Sequence, residues 1–190
     1  MSLDGFIAGD NMTLENPFGR ILPELLMKWM FEEPDKHEAE LKSLTDAGAF
    51  IMGSNMFGPK DLRTDDSWKG WWGNNPPYHR PVFVLSHTPR DLIHMNGGTT
   101  FTFVTDGIES AFKQAQSAAG TKNIAIAGGA HVINQYLRAG LIDELWLHIA
   151  PVTIGHGQRL FLNTPDIAFT PTEVRTTNLV THIKYAVAHS

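Results

Sequence analysis

Two rhythms of apolar and polar positions run along this chain, and the places where one replaces the other predict its elements. Residues 49–52 (AFIM) form an unbroken apolar run, the mark of a strand buried on both faces. Residues 81–86 (PVFVLS) and 100–104 (TFTFV) read as further strands. Between Pro34 and Gly48, Leu41 and Leu44 stand three apart among charges, which predicts a surface helix ending at the glycine. Asp106 and Glu109 have capping-box spacing ahead of a helix reaching about Ala119, and Gly120 closes it. The apolar run 124–128 meets the pair Gly128 and Gly129 and passes into helical spacing at Val132, Ile133, Tyr136 and Leu137, with Gly140 as the stop. Residues 143–150 give another strand. The order β, α, β, α, β implies right-handed crossovers and a largely parallel sheet with helices on both faces. Residues 173–188 alternate instead, with Leu179, Thr181, Ile183, Tyr185 and Val187 on one side and a turn at Thr177 and Asn178. An antiparallel hairpin at one sheet edge follows, so the sheet is mixed. Residues 58–81 carry Trp68, Trp71 and Trp72 among glycines and prolines with neither rhythm, which predicts a long functional or mobile loop.

Composition narrows the class. A chain of 190 residues, 42% hydrophobic and 18% charged, suits one soluble domain with a sizeable core. The net charge of -5 and the lack of a basic cluster argue against nucleic acid as a partner. Zero cysteines exclude disulfides and thiolate chemistry. No apolar run approaches the ~18 residues of a membrane span, and no signal-peptide pattern opens the sequence, so a cytoplasmic location is predicted.

In open α/β sheets, ligands collect beyond the carboxyl ends of the strands. Three such ends are alike here. Gly53, Ser54 and Asn55 follow the first buried strand, Ser86, His87 and Thr88 with Arg90 follow the second, and Gly128, Gly129, Ala130 and His131 follow the third. Glycines admit a ligand close to the backbone, and a helix start offers N–H groups and partial positive charge to a phosphate. Two such turns and one Ser/His/Arg cluster match the diphosphate and extra monophosphate of an NADPH-like ligand. The bland alternatives are that the paired glycines only relieve helix–sheet crowding and that Arg90 is a solvated arginine in an ordinary turn.

These residues carry a resemblance. The runs SLDG at 2–5, IAG at 7–9, MGS at 52–54, LSH at 85–87, AGGA at 127–130, GLIDEL at 140–145 and PVTIG at 151–155 resemble the dihydrofolate reductase-like superfamily. Within it, the chain is similar to the C-terminal domain family of the riboflavin-biosynthesis deaminase-reductases. The resemblance spans nearly the whole chain and implies an α/β fold with a mixed, mostly parallel sheet of about eight strands and flanking helices. It implies NADPH as hydride donor and a pterin-, pyrimidine- or flavin-precursor-like heterocycle as acceptor. By position, Gly53, Ser54 and Asn55 with Gly128, Gly129, Ala130 and His131 would hold the pyrophosphate, and Ser86, His87 and Arg90 the 2′-phosphate. Relatives carry an arginine where Ser54 stands, which leaves preference for NADPH over NADH open. An imidazole at His87 is only partly charged near neutrality, so its hold on a phosphate weakens as pH rises. The resemblance also implies an apolar strand entering Ser2, and the sequence opens inside it: either residues lie upstream or the strand is short.

Hydride transfer needs the protein to position the two rings and stabilise developing charge. The acid is the open part. Folate-reducing relatives carry a carboxylate where Leu25 stands, and Glu24 is one position away, about 100° around the helix. That argues against folate reduction. Asp4 is the other candidate acid, or else a turn former bonded to its own backbone. Trp29, Trp71 and Trp72 are candidate stacking walls for a flat heterocycle, with core packing as the alternative. His156, between Gly155 and Gly157, is a candidate substrate contact. Reduction of a ribosyl-phosphate pyrimidine would need a phosphate pocket, for which Lys60, Arg63 and Arg20 are the suitable cations.

The run Leu25, Leu26, Met27, Trp29, Met30 and Phe31 is too apolar for one buried helix face, which predicts a pocket or a homodimer contact. Nine histidines form no close ligand spacing, so no zinc site is predicted. The readings that follow are a reductase, a nucleotide-binding module of the same fold without turnover, and a structural or oligomerisation subunit.

Overall fold

The computed structural model describes residues 1–21 and 23–188, and of Pro23 only the backbone. In chain order the elements are β1 (Phe6–Ala8), α1 (Pro23–Glu32), α2 (Glu38–Ser43), β2 (Ala49–Gly53), α3 (Ser54–Phe57), β3 (Pro81–Leu85), β4 (Ile93–His94) and β5 (Thr100–Val104). There follow α4 (Ile108–Ala119), β6 (Ile124–Gly128), α5 (Ala130–Arg138), β7 (Glu144–Ile149), β8 (Gln158–Arg159), β9 (Phe169–Thr176) and β10 (Thr181–Val187). The chain forms two compact units: a central one, Ala39–Val132, and a terminal one made of Met1–Glu38 and Ile133–Ser190.

The central unit is built on a five-stranded sheet of order β4-β5-β3-β2-β6. Strands β5, β3, β2 and β6 are parallel, and the two-residue β4 joins β5 antiparallel. All five residues of β2 are buried, as its unbroken apolar run requires of a central strand. Helix α4 lies on β2 and β3 through a stripe of Ala111, Ala115 and Ala119, four apart and therefore on one face. Small residues let the backbones approach closely. A Cβ at Gly48 would sit 2.8 Å from the Ala119 Cα, so glycine is required where the chain passes the helix end. Phe50, Met52, Phe57, Tyr78, Val82, Val84 and Phe101 form the core, with Trp68 and Trp72 of the long loop packed against it.

The terminal unit holds two antiparallel sheets, β7-β10-β9 and β1-β8. The expected C-terminal hairpin is β9–β10, with Thr177 N–H donating to the Val180 carbonyl across its turn. Strand β10 is the middle strand of its sheet.

Several expectations are corrected. The strands are divided among three sheets and do not form one sheet of about eight. Strand β7, read as a continuation of the parallel order, pairs antiparallel with β10. Its own sequence explains this: Glu144, Trp146 and His148 alternate with Leu145, Leu147 and Ile149, whereas a strand sandwiched between helices, like β2, is apolar throughout. The helix expected from Pro34 to Gly48 is interrupted at His37, between a 3-10 turn at Pro34–Lys36 and α2. The capping box at Asp106 does not form; Gly107, at φ +99°, occupies the cap of α4 without a side-chain bond. Gly120 and Gly140 do close their helices, at φ +62° and +64°. Among the described residues no helix is long and apolar enough to cross a membrane.

Candidate functional site

Parallel strands in register end at a common edge, and the three glycine- or serine-marked turns leave the central sheet there from adjacent strands. Gly53 is opposite Leu85 in the β2–β3 ladder, and Met52 is opposite Gly128 in the β2–β6 ladder. With strands spaced about 4.8 Å, the three turns begin within roughly 10 Å of one another.

The two glycine turns are neighbours. A Cβ built on Gly53 would lie 3.9 Å from Gly129 N and 4.0 Å from the Gly128 carbonyl oxygen, and only 2.8 Å from Val132 Cγ2 on α5. Gly53 is therefore a packing requirement. Gly128 needs its backbone freedom, at φ +118°, and the Gly128–Gly129 peptide is cis. Gly129 differs from both. It has no left-handed φ, and a Cβ there meets nothing within 4 Å among the described residues. The absent side chain leaves open space beside the first turn of α5, the nine-residue helix whose Val132 N–H bonds the Gly129 carbonyl. A helix start facing open space presents N–H groups and partial positive charge, the sign an anion requires.

Of the other residues at this edge, Ser54 and Asn55 open the short α3, half-buried and exposed respectively. Ser86 folds its turn: its Oγ donates to the Thr88 carbonyl at 2.9 Å and accepts from Thr88 N–H at 3.1 Å. His87 is exposed at the tip. Arg90 does not join them. Its side chain is 4% exposed, donates from Nη2 to the Trp68 carbonyl at 3.0 Å, and lies over the rings of Phe103 and Phe57 at 4.8 and 5.6 Å. That guanidinium braces the long loop, so the cluster expected to hold a 2′-phosphate keeps only a serine and a histidine. The same edge carries a turn that strand-end reading passed over as a capping box: Thr105, Asp106 and Gly107 follow Val104, which is opposite Leu85. Asp106 is exposed there.

The proposed acids divide. Asp4 accepts from Ile154 N–H at 3.1 Å and Gly155 N–H at 2.7 Å. The Ser2 hydroxyl first, then these N–H groups, pull its carboxyl down to about 2. In this arrangement Asp4 clamps the glycine loop, the bonded role that was the alternative to an acid. Glu24 is exposed in the first turn of α1.

The aromatic candidates are packed. Trp29 is 3% exposed and belongs to the core of the terminal unit, so it offers no open stacking wall. Trp72 stacks on Phe101 at 6.0 Å and meets Tyr78 edge-on, while the half-buried Trp71 meets Trp68 edge-on at 5.1 Å. Trp68 Nε1 donates to the Phe57 carbonyl at 3.1 Å. The long loop is thus tied down by its tryptophans instead of hanging free. His156 is exposed, with Nδ1 3.5 Å from Asp10 Oδ2. Gly157, at φ +122°, passes so close to the Ala8 carbonyl that a Cβ would collide with it.

One cluster escaped sequence reading altogether. His148 and His182 are directly opposite in the β7–β10 ladder, Arg175 is opposite His182 on β9, and His37 completes the group. No spacing links positions 37, 148 and 182; only the hairpin register does.

The chain matches the family model described as RibD C-terminal domain over residues 1–184. It is 25% identical over 169 residues to the protein YyaP of Bacillus subtilis (strain 168), covering 86% of this chain and 77% of that one. Among solved structures it resembles a protein of Shewanella sp. PV-4 named for riboflavin biosynthesis, with TM-score 0.71, 22% identity and coverage of 100% of this chain and 96% of that one. A pyrimidine reductase-like protein of Corynebacterium diphtheriae matches with TM-score 0.59 and 15% identity over 100% of this chain and 90% of that one. At these identities the structural likeness speaks for the fold.

Proposed function

This chain belongs to the RibD C-terminal domain family, and from that premise we propose that it is a nicotinamide-dependent reductase of a small heterocycle of pyrimidine, pterin or flavin-precursor type. The observation that carries the reading is that the Gly53 turn and the Gly128–Gly129 turn lie side by side, with open space at Gly129 before the start of α5. NADPH, when bound, supplies the hydride. The chain's own part is to grip the pyrophosphate with main-chain N–H groups at the two turns, while Ser86 and His87 face the adenosine end. With Ser54 and a buried Arg90, that end has no permanent cation from the expected set, and NADH competes with NADPH more closely than an arginine would allow. The protein acts as a homodimer in the cytoplasm on this reading.

The test is a titration of NADPH and NADH into micromolar protein, followed by nicotinamide fluorescence, and then loss of reduced-nicotinamide absorbance across a panel of pterins, pyrimidines and flavin precursors. Binding of either dinucleotide with oxidation by one acceptor class is the expected result. Absence of binding by both overturns the proposal. A second reading, a dinucleotide-binding module without turnover, is favoured by the clamped Asp4 carboxylate, and tight binding without oxidation by any acceptor selects it.

A further inference from the structure

The turn between β4 and β5 in the central unit holds chemistry that the nicotinamide reading does not use. Asn96 is the only asparagine in the sequence that precedes a glycine. It opens the short 3-10 turn Asn96–Gly98, and all three residues of that turn are exposed. Among the described residues, neither the Asn96 side-chain amide nor the Gly97 N–H has a hydrogen-bond partner. An unbonded main-chain N–H can give its proton to hydroxide, and glycine has no Cβ to screen that nitrogen from the side chain before it. Asparagine is already among the thermolabile residues.

Everything around this dipeptide is held. Asn96 N–H donates to the Asn74 carbonyl at 3.0 Å, and His79 Nδ1 donates to the Gly97 carbonyl at 2.9 Å. The Thr99 hydroxyl accepts from His79 N–H at 2.9 Å and donates to the Pro76 carbonyl at 3.2 Å. Residues 74–79 of the long loop are thereby tied to residues 96–99. The fit at Gly97 is close as well: at φ +74°, a Cβ there would collide with Asn75 Oδ1 and lie 2.6 Å from His79 Nδ1. No side chain at 97 can shield the nitrogen without breaking the tie, so the reactive pair is built into the clamp.

We propose that Asn96 is a self-modifying site, a slow timer set in the clamp of the long loop. The Gly97 main-chain nitrogen attacks Asn96 Cγ. The N–Cγ bond forms, the Cγ–Nδ2 bond breaks, and ammonia leaves with the proton that the Gly97 nitrogen gave up through solvent. Water then opens the cyclic imide. Opening at Cγ gives aspartate with the ordinary main chain, and opening at the main-chain carbonyl gives isoaspartate, with Gly97 joined through Cγ. The net change is amide and water to acid and ammonia, with no electron transferred. Isoaspartate places the Cβ of residue 96 in the main chain, one extra atom between an N–H anchored on Asn74 and a carbonyl anchored on His79. The clamp loosens there, and the new carboxylate adds a negative charge beside the His79 ring.

The experiment ages the folded protein at 37 °C and pH 8 and follows its tryptic peptides by mass. The peptide of residues 91–113 holds Asn96 and no other asparagine or glutamine, so any gain of the acid-for-amide mass difference belongs to Asn96, while isomerisation at Asp106 changes no mass. Expected is conversion of this peptide ahead of every other asparagine-bearing peptide, into two products of equal mass, one of which accepts methyl groups from an isoaspartate methyltransferase. Brief chymotrypsin treatment then cuts aged protein within residues 58–81 faster than fresh protein, and fresh Asn96→Asp, which has the charge without the extra atom, is cut like fresh wild type. A folded sample whose peptide keeps its mass while the urea-unfolded chain converts shows that the fold protects Asn96, and overturns the proposal. Earlier conversion at another asparagine, or no conversion in either sample, overturns it too. Equal cutting of aged and fresh protein removes the timer. The aged wild type decides each point without relying on a variant.

Discussion

The open edge of the central sheet and the histidine row of the terminal sheet use polarity in opposite ways. At the edge, the polar groups are main-chain atoms at strand ends, side chains are missing where a ligand would come, and Gly129 faces space. In the row, the polar groups are side chains inside the terminal unit, His148 bonded to His182 and His182 to His37, with an indole packed against them. One arrangement turns main-chain groups outward; the other turns side chains toward one another. Buried polar atoms are costly unless paired, so an open cradle has to be exposed at an edge and a closed network can be interior.

Substitutions break this contrast in order of size. Phe50→Ala removes a fully buried ring from the central core and costs about 3–5 kcal/mol, read as a fall in the urea midpoint. Gly53→Ala forces a methyl against Val132 Cγ2 and costs about 1–3 kcal/mol. Gly129→Ala is the sharper probe. Its methyl meets no described residue, so stability changes by less than about 0.5 kcal/mol, while dinucleotide affinity falls at least about tenfold, or 1.4 kcal/mol. Unchanged affinity with unchanged stability would show that the cradle is only a gap. The smallest effect is confined to acid. Asp4, depressed from 3.8 to about 2, contributes stability that is present above about pH 4 and lost as pH falls through 2. Asp4→Asn removes that share of the dependence, so its urea midpoint should fall less between pH 5 and pH 2.5 than that of wild type.

Much of the central unit was legible in the sequence because its signals are local. An unbroken run such as 49–52 has one physical meaning, and glycine stops at 120 and 140 work through φ alone. The strand-end turns followed from the same runs, since parallel strands bring their carboxyl ends to one edge. What failed was decided by distant partners. The side chain of Arg90 is directed by carbonyls at Arg63 and Trp68 and by the rings of Phe57 and Phe103, none of which its own neighbours announce. Asp4 is held by N–H groups 150 residues away. The histidine row depends on the register of β10 with β7 and β9, and a slip of one residue would turn His182 to the other face. Strand β7 was misassigned although its alternation was visible, because its place after a helix suggested another crossover.

The position of β10 has a consequence for how the molecule is made. The central unit is one uninterrupted stretch and can acquire its five-stranded sheet while synthesis continues. The β7-β10-β9 sheet has no such freedom: β7 and β9 are both translated before the strand that separates them, so they wait, unpaired, for residues 181–187 to leave the ribosome. A nonsense codon ahead of Thr181 would therefore remove more than one strand's worth of structure, leaving two orphaned edges with exposed ladders and a ready route to aggregation.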